Sequence, residues 1–187
     1  MVKSNNNKGA FMRTRGLAFL LLSTVVLLSG CAHYTSPKSM PGVDLKAVGA
    51  FSRSFSVDLI NNQPDASQQI YGGIGGHTYY ANYNEWTQFL VDHLGAELNK
   101  RGASVSSESL MKLKIKLSDF ALIQGMWVVR INMKVALEIP GKNWKKEWVV
   151  TDTSGWSGGR AMGSTLYRII EKIMQDPEIM DLLQPKQ

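Results

Sequence analysis

The side chains able to do chemistry are few and widely spaced. Histidine occurs three times, at His33, His77 and His93, and none of these forms an HxH, HExxH or His-Cys pattern of the kind that holds a metal. No metal and no cofactor are expected. The run Tyr71-Gly72-Gly73-Ile74-Gly75-Gly76-His77 suggests a phosphate loop. However, it lacks a Lys-Ser/Thr ending, does not fit G-x-G-x-x-G, and stands well ahead of the helix such a loop must open. Serine hydrolysis would need a G-x-S-x-G elbow, which is missing. Glu85, Asp92, Glu97 and Glu108 are the candidates for paired carboxylates, but a helix face and its exit loop carry such residues routinely. These residues point away from an enzyme, and no catalytic residue is assigned.

Binding chemistry is better represented. Tyr71, His77, Tyr79, Tyr80 and Tyr83 surround the glycines, and rings on a flexible loop suit the gripping of a protein, a glycan or lipid tails. Lys112, Lys114 and Lys116 project from one face of a strand. They form either a solvated, lysine-guarded face or a surface meeting lipid head groups or lipopolysaccharide phosphates, with Arg130 and Lys134 joining if the register allows.

The remaining candidate is the only thiol, Cys31, which excludes disulfides. Lys3, Lys8, Arg13 and Arg15 precede an apolar run from Leu17 to Leu28 interrupted only by Ser23 and Thr24, with no acidic residue before the cysteine. This is the charged and apolar pattern of an export signal. The run is too short for the ~20 residues of a membrane-spanning helix. It ends in Leu28-Ser29-Gly30-Cys31, which resembles the lipobox of bacterial lipoproteins. The resemblance implies that signal peptidase recognises Leu28, Ser29 and Gly30, and that Cys31 receives a diacylglyceryl thioether. Met12 opens a more compact signal, so Met1 and Met12 are both candidate starts of translation. Ala32 after the cysteine, in place of Asp, resembles the sorting pattern for the outer membrane.

Charge supports the same division. The chain has 187 residues and a net charge of +6, which at face value suggests a polyanionic partner. Four of the 21 basic residues and none of the 15 acidic ones precede Cys31, leaving 17 against 15. The compositional argument for a nucleic-acid partner therefore fails. With 44% hydrophobic and 19% charged residues, the mature part has the composition of a globular domain.

The elements that must position these groups follow from periodicity. Residues 1–30 are expected as signal peptide, 31–45 as lipidated cysteine and flexible tether, and 46–187 as a single periplasmic domain. Alternation at Ala47–Phe51 and Phe55–Leu59 suggests one bent strand or two short ones, and residues 61–82 are expected as turns and a glycine loop. Asn84 is placed as the cap of a helix from Glu85 to about Arg101, with Trp86, Phe89, Leu90, His93, Leu94 and Leu98 on its apolar face. Strands follow with Leu113, Ile115 and Leu117 inward, then from Trp127 to Ile139, then from Trp144 to Trp156, with Pro140-Gly141 between the last two. Trp127, Trp144, Trp148 and Trp156 are expected as core or cross-strand packing. A helix to Gln175 and a short one capped by Asp176 with Pro177 first complete the chain. The expected class is α+β: a two-layer sandwich of a mainly antiparallel sheet with two helices on one face.

The lipobox, the Glu85–Gly102 helix, the Lys-alternating strand, the Ile139-Pro140-Gly141 turn and the ending Ile173-Met174-Gln175-Asp176-Pro177-Glu178-Ile179 together resemble the YajG-like family of small bacterial lipoproteins. Their order is also similar to that of LptE, LpoB and auxiliary lipoproteins of lipid-transport ABC systems. The resemblance implies no enzymatic activity. It implies a membrane attached through Cys31 and an envelope protein, lipid or glycan as partner. The expected role is a non-enzymatic accessory or scaffold module, the alternative being a carrier or chaperone for lipid or lipopolysaccharide. A carrier needs an acyl-sized groove between the first helix and the sheet, not one filled by Trp86, Phe89 and Leu90.

Overall fold

The computed structural model describes residues 30–38, 40, 42–44, 46–155 and 157–184. The signal segment, with Leu28 and Ser29, and Trp156 lie outside them. The chain runs β1 (Ala32–Thr35), β2 (Ser56–Asn61), β3 (Gln68–Ile74), β4 (His77–Asn82), α1 (Tyr83–Lys100), β5 (Ser104–Val105), β6 (Lys112–Gln124), β7 (Val129–Ile139), β8 (Trp144–Ser154), α2 (Gly158–Gln175) and α3 (Pro177–Leu183). The fold is α+β.

The larger sheet has the order β5-β2-β6-β7-β8. Strands β6, β7 and β8 form an antiparallel meander, whereas β2 pairs in parallel with both β5 and β6. The meander follows from short reversals, and the parallel pairs require the crossover that α1 supplies. Helix α1 covers the β2, β5 and β6 side and α2 covers β7 and β8. Strict alternation puts Leu113, Ile115, Leu117, Ile131, Met133, Val135, Leu137 and Ile139 under the helices, where all are buried against Leu90, Leu94, Leu166 and Ile169.

One irregularity preserves that face. At Asp119 the backbone takes φ +52° and the β6–β7 register shifts between Ser118 and Ala121. This extra residue turns Phe120 inward, where a plain alternation would have buried the Asp119 carboxylate.

Several expectations change. Ala47–Phe51 is not a strand; the segment turns and only Val48 is buried. The stretch expected as turns and a glycine loop is largely a second sheet, ordered β1-β4-β3. Its hairpin turns at Gly75 and Gly76, with φ +55° and +83°, between the paired residues Ile74 and His77. Two consecutive positive φ values are strained for any side chain and open to glycine, so the Gly-Gly pair is a hairpin turn. Within the stretch expected as tether, Ala32–Thr35 is a strand parallel to β4, and Val43 is buried. The helix cap also moves: β4 runs directly into α1, and the Asn82 side chain accepts from the Glu85 amide at 3.1 Å. Asn84 instead donates to the Gln63 carbonyl. Asp176 does cap α3, with Pro177 first.

Candidate binding surface

Cys31 stands at the threshold of β1. Its thiol is free and its residue exposed, while its carbonyl accepts from the Thr78 amide at 2.9 Å. A group attached to this sulfur would therefore leave directly from the edge of the small sheet.

Pairing across that sheet sorts the aromatic residues into two faces. Tyr34, Tyr80 and Ile70 are direct neighbours across β1, β4 and β3. Tyr34 and Ile70 are 66% and 62% exposed, and the Tyr34 and Tyr80 rings stack at 5.1 Å. Rigid rings whose apolar bodies meet water offer contact area at little entropic cost. The opposite face carries His33, Tyr79 and Tyr71. Tyr71 is buried; following outward Ile70 it falls on the inner face by alternation, where its hydroxyl shares a 2.8 Å hydrogen bond with Thr35 Oγ1. Burial pushes the Tyr71 phenol up, partly offset by that bond. Tyr83 stacks on Phe120 at 4.1 Å, and burial raises its pKa too, against the Phe120 main-chain hydrogen bond. His77 is exposed, hydrogen-bonded to the His33 ring at 2.8 Å.

Of the five aromatic loop residues, Tyr80 therefore lies on the exposed face, His77 at the sheet end, and Tyr71, Tyr79 and Tyr83 in packing positions. Tyr34 and Ile70 were missed. The alternation of Tyr79-Tyr80-Ala81 and Gln69-Ile70-Tyr71 on either side of a Gly-Gly pair is a hairpin signal that could have found Ile70. Tyr34 could be placed only by a parallel pairing across a long gap in sequence.

Thr35 ends this strand against α1, its carbonyl accepting from Trp86 Nε1 at 3.0 Å. Beside it opens a cavity of about 500 Å³ bounded by Thr35, Lys38, Phe89, Arg160 and Ser164. Two cations and one aromatic wall make it suited to a small amphiphilic anion. Under α1 itself Leu90 and Leu94 are buried, whereas Trp86 and the half-buried Phe89, two of the residues expected to fill a carrier groove, line this cavity.

The lysine strand is balanced locally. Lys112 pairs with Asp58 at 3.2 Å. Lys114 lies opposite Glu138 in the register and Lys116 opposite Ala136. On the same face Lys134 pairs with Glu147 at 2.8 Å and Lys145 with Glu138 at 3.3 Å. Acidic and basic side chains thus alternate around the shallow depression that Lys114 and Lys116 line. Arg130 lies apart, opposite Ile123 beyond the bulge. The carboxylates are dispersed: Glu97 is held by buried Arg101, Asp92 accepts from Gln88, and Glu108 lies by the loop before β6. His93 borders the core, bonded to the Phe89 carbonyl at 3.0 Å. No group of three metal-ligating side chains occurs among the described residues.

No protein-family model and no curated protein matches the sequence. Among solved structures the chain is similar to a Xanthomonas campestris protein of the DUF330 family, at 11% identity over 82% of this chain and 93% of that one, with a TM-score of 0.42. It is similar to a neuraminyllactose-binding hemagglutinin homolog from Helicobacter pylori, at 13% identity over 80% and 96%, with a TM-score of 0.45. A third is lipoprotein GNA1162 from Neisseria meningitidis, at 12% identity over 65% and 99%, with a TM-score of 0.33. At these scores the likenesses carry no conclusion about function. No helix among the described residues is long and apolar enough to cross a membrane.

Proposed function

We propose that the protein is a lipid-anchored envelope lipoprotein of the YajG-like kind, facing the periplasm from the outer membrane, that binds a protein or other envelope component without catalysing a reaction. The observation that carries this reading is the position of Cys31. The only thiol of the chain is exposed at the first residue before the first strand, behind an apolar run too short to span a bilayer. A lipid there holds the domain at the membrane surface, and the Tyr34–Tyr80–Ile70 row supplies exposed contact area for the partner.

Two measurements test it. Labelled palmitate is expected to enter the wild-type chain and not Cys31→Ala, and the wild type alone is expected to float with outer-membrane vesicles. Affinity capture from cross-linked envelopes is expected to lose its partner with the double substitution Tyr34→Ala and Tyr80→Ala. Equal labelling of the Cys31→Ala protein would refute the anchor, and unchanged capture would refute the binding row.

A further inference from the structure

The β6–β7 hairpin ends in an apolar tip. Gly125 N donates to the Val128 carbonyl at 2.8 Å, which places Met126 and Trp127 at the two central positions of the turn. Met126 is 79% and Trp127 70% exposed, with Ile123 and Val128 exposed beside them. Large apolar side chains at consecutive positions of a turn oppose the usual preference for polar residues there. From Phe120 to Ala136 the only charged residues are Arg130 and Lys134, both basic.

The direction of this tip relative to Cys31 follows from two packing contacts. Where β4 enters α1, Tyr83 stacks on Phe120 at 4.1 Å. Nearer the hairpin turn, Gly72 lies so close to Leu122 that a methyl group on it would come 2.5 Å from Leu122 Cβ. Going from Phe120 to Leu122 along β6 thus matches going from Tyr83 back toward Tyr79, the partner of Gly72. Continued in the same sense, β6 reaches Met126 and Trp127 while the small sheet reaches Gly75, Gly76 and Cys31, whose carbonyl is tied to Thr78. The anchor residue and the apolar tip lie at one end of the molecule.

We infer that the Met126–Trp127 tip inserts into the lipid surface to which Cys31 is attached, so that the domain stands on the membrane at two points. The inference rests on the reading of Cys31 as the lipid-bearing residue. The anchor brings a bilayer to this end whatever else binds elsewhere. A tryptophan with a thioether side chain beside it, and an arginine a few residues behind, suits the interface between acyl chains and anionic head groups. A single anchor leaves the orientation of a domain undetermined, whereas a second contact fixes which face looks into the periplasm.

The test uses the only thiol. The mature chain from Cys31 to Gln187 is coupled through Cys31 to a maleimide-bearing lipid in vesicles of phosphatidylethanolamine and phosphatidylglycerol with brominated acyl chains, and tryptophan quenching is measured. Most of the quenching is expected to disappear in Trp127→Phe and to persist in Trp144→Phe, whose ring lies at the opposite end of β8. Quenching unchanged in Trp127→Phe overturns the inference, because Trp127 is then in water or against protein. Since the coupling is chemical, this result stands apart from lipidation in the cell. The absence of a diacylglyceryl mass on the cell-derived protein would defeat the anchor reading alone.

Discussion

Arg101 donates from Nη2 to the carbonyl of Val43 at 2.9 Å, across 58 residues of sequence. The same buried guanidinium donates from Nε to the Val48 carbonyl at 2.9 Å and forms an ion pair with Glu97 one turn earlier on α1. A rigid planar fork carries its donors on three nitrogens aimed at separate acceptors, a spread that the single nitrogen of an ammonium does not have. Val43 and Val48 are thereby tied to the C-terminal end of α1.

Arg101→Ala is expected to be among the most damaging single substitutions. It leaves Glu97 and two carbonyls without their donor in the interior, which costs about 3–5 kcal/mol for a broken buried pair. Arg101→Lys should recover only part. Urea unfolding measures both, and hydrogen exchange at residues 46–48 should rise in each variant.

Gly72 is expected to tolerate no side chain while Leu122 is present. Gly72→Ala drives a methyl against Leu122 Cβ and should cost about 1–3 kcal/mol by overpacking. Combining it with Leu122→Gly, which removes the Cβ itself, should restore part of the loss, giving a favourable coupling of about 0.5–3 kcal/mol between two residues in contact. Additive losses in the double variant would show that the two sheets do not meet there.

Acid should weaken the attachment of α3. Lys146 reaches Asp176 at 2.7 Å and Glu178 at 2.8 Å. Partial burial works to raise the Asp176 pKa, but the Lys146 ammonium and the Ile179 and Glu178 amides together hold it below its ordinary 3.8. Lys146, and then Trp144 Nε1, hold Glu178 below 4.5. Both folded values are depressed, so their stabilisation is complete above the unfolded values and is lost as pH falls through the folded ones. Lys146→Met is expected to cost about 0.5–1 kcal/mol near neutrality, and its difference from wild type should shrink below pH 4.5. Lys146 itself, raised above 10.5 by the same partners, keeps its contribution until pH climbs past that value. Denaturant midpoints across this range check both signs.

The legible parts of the fold were those in which one residue faces one environment. The β7 alternation from Val129 to Ile139 and the stripe of α2 through Leu166, Ile169, Ile170 and Ile173 announce their buried faces directly. The tip was misjudged for the same reason. Trp127 looks like one more apolar residue of a strand, and only the turn at Gly125–Val128 puts it in water. Asp119 gave no warning of its bulge, because its left-handed backbone depends on where Phe120 must pack.

What the sequence determined by itself is local: a basic and apolar leader pattern, a lone thiol behind it, a net charge that falls from +6 to +2 once residues 1–30 are set aside, and the α+β order of elements. These follow from composition and from periods of two and 3.6 residues, which need no knowledge of distant partners. The tertiary structure decided the rest. The parallel pairing of Ala32–Thr35 with β4, the Arg101 clamp on Val43 and Val48, and the contact of Gly72 with Leu122 each join residues far apart in the chain. Such pairings are selected by the packing of the whole domain. They turned an expected tether into a strand, and so placed Cys31 at one defined end of the molecule.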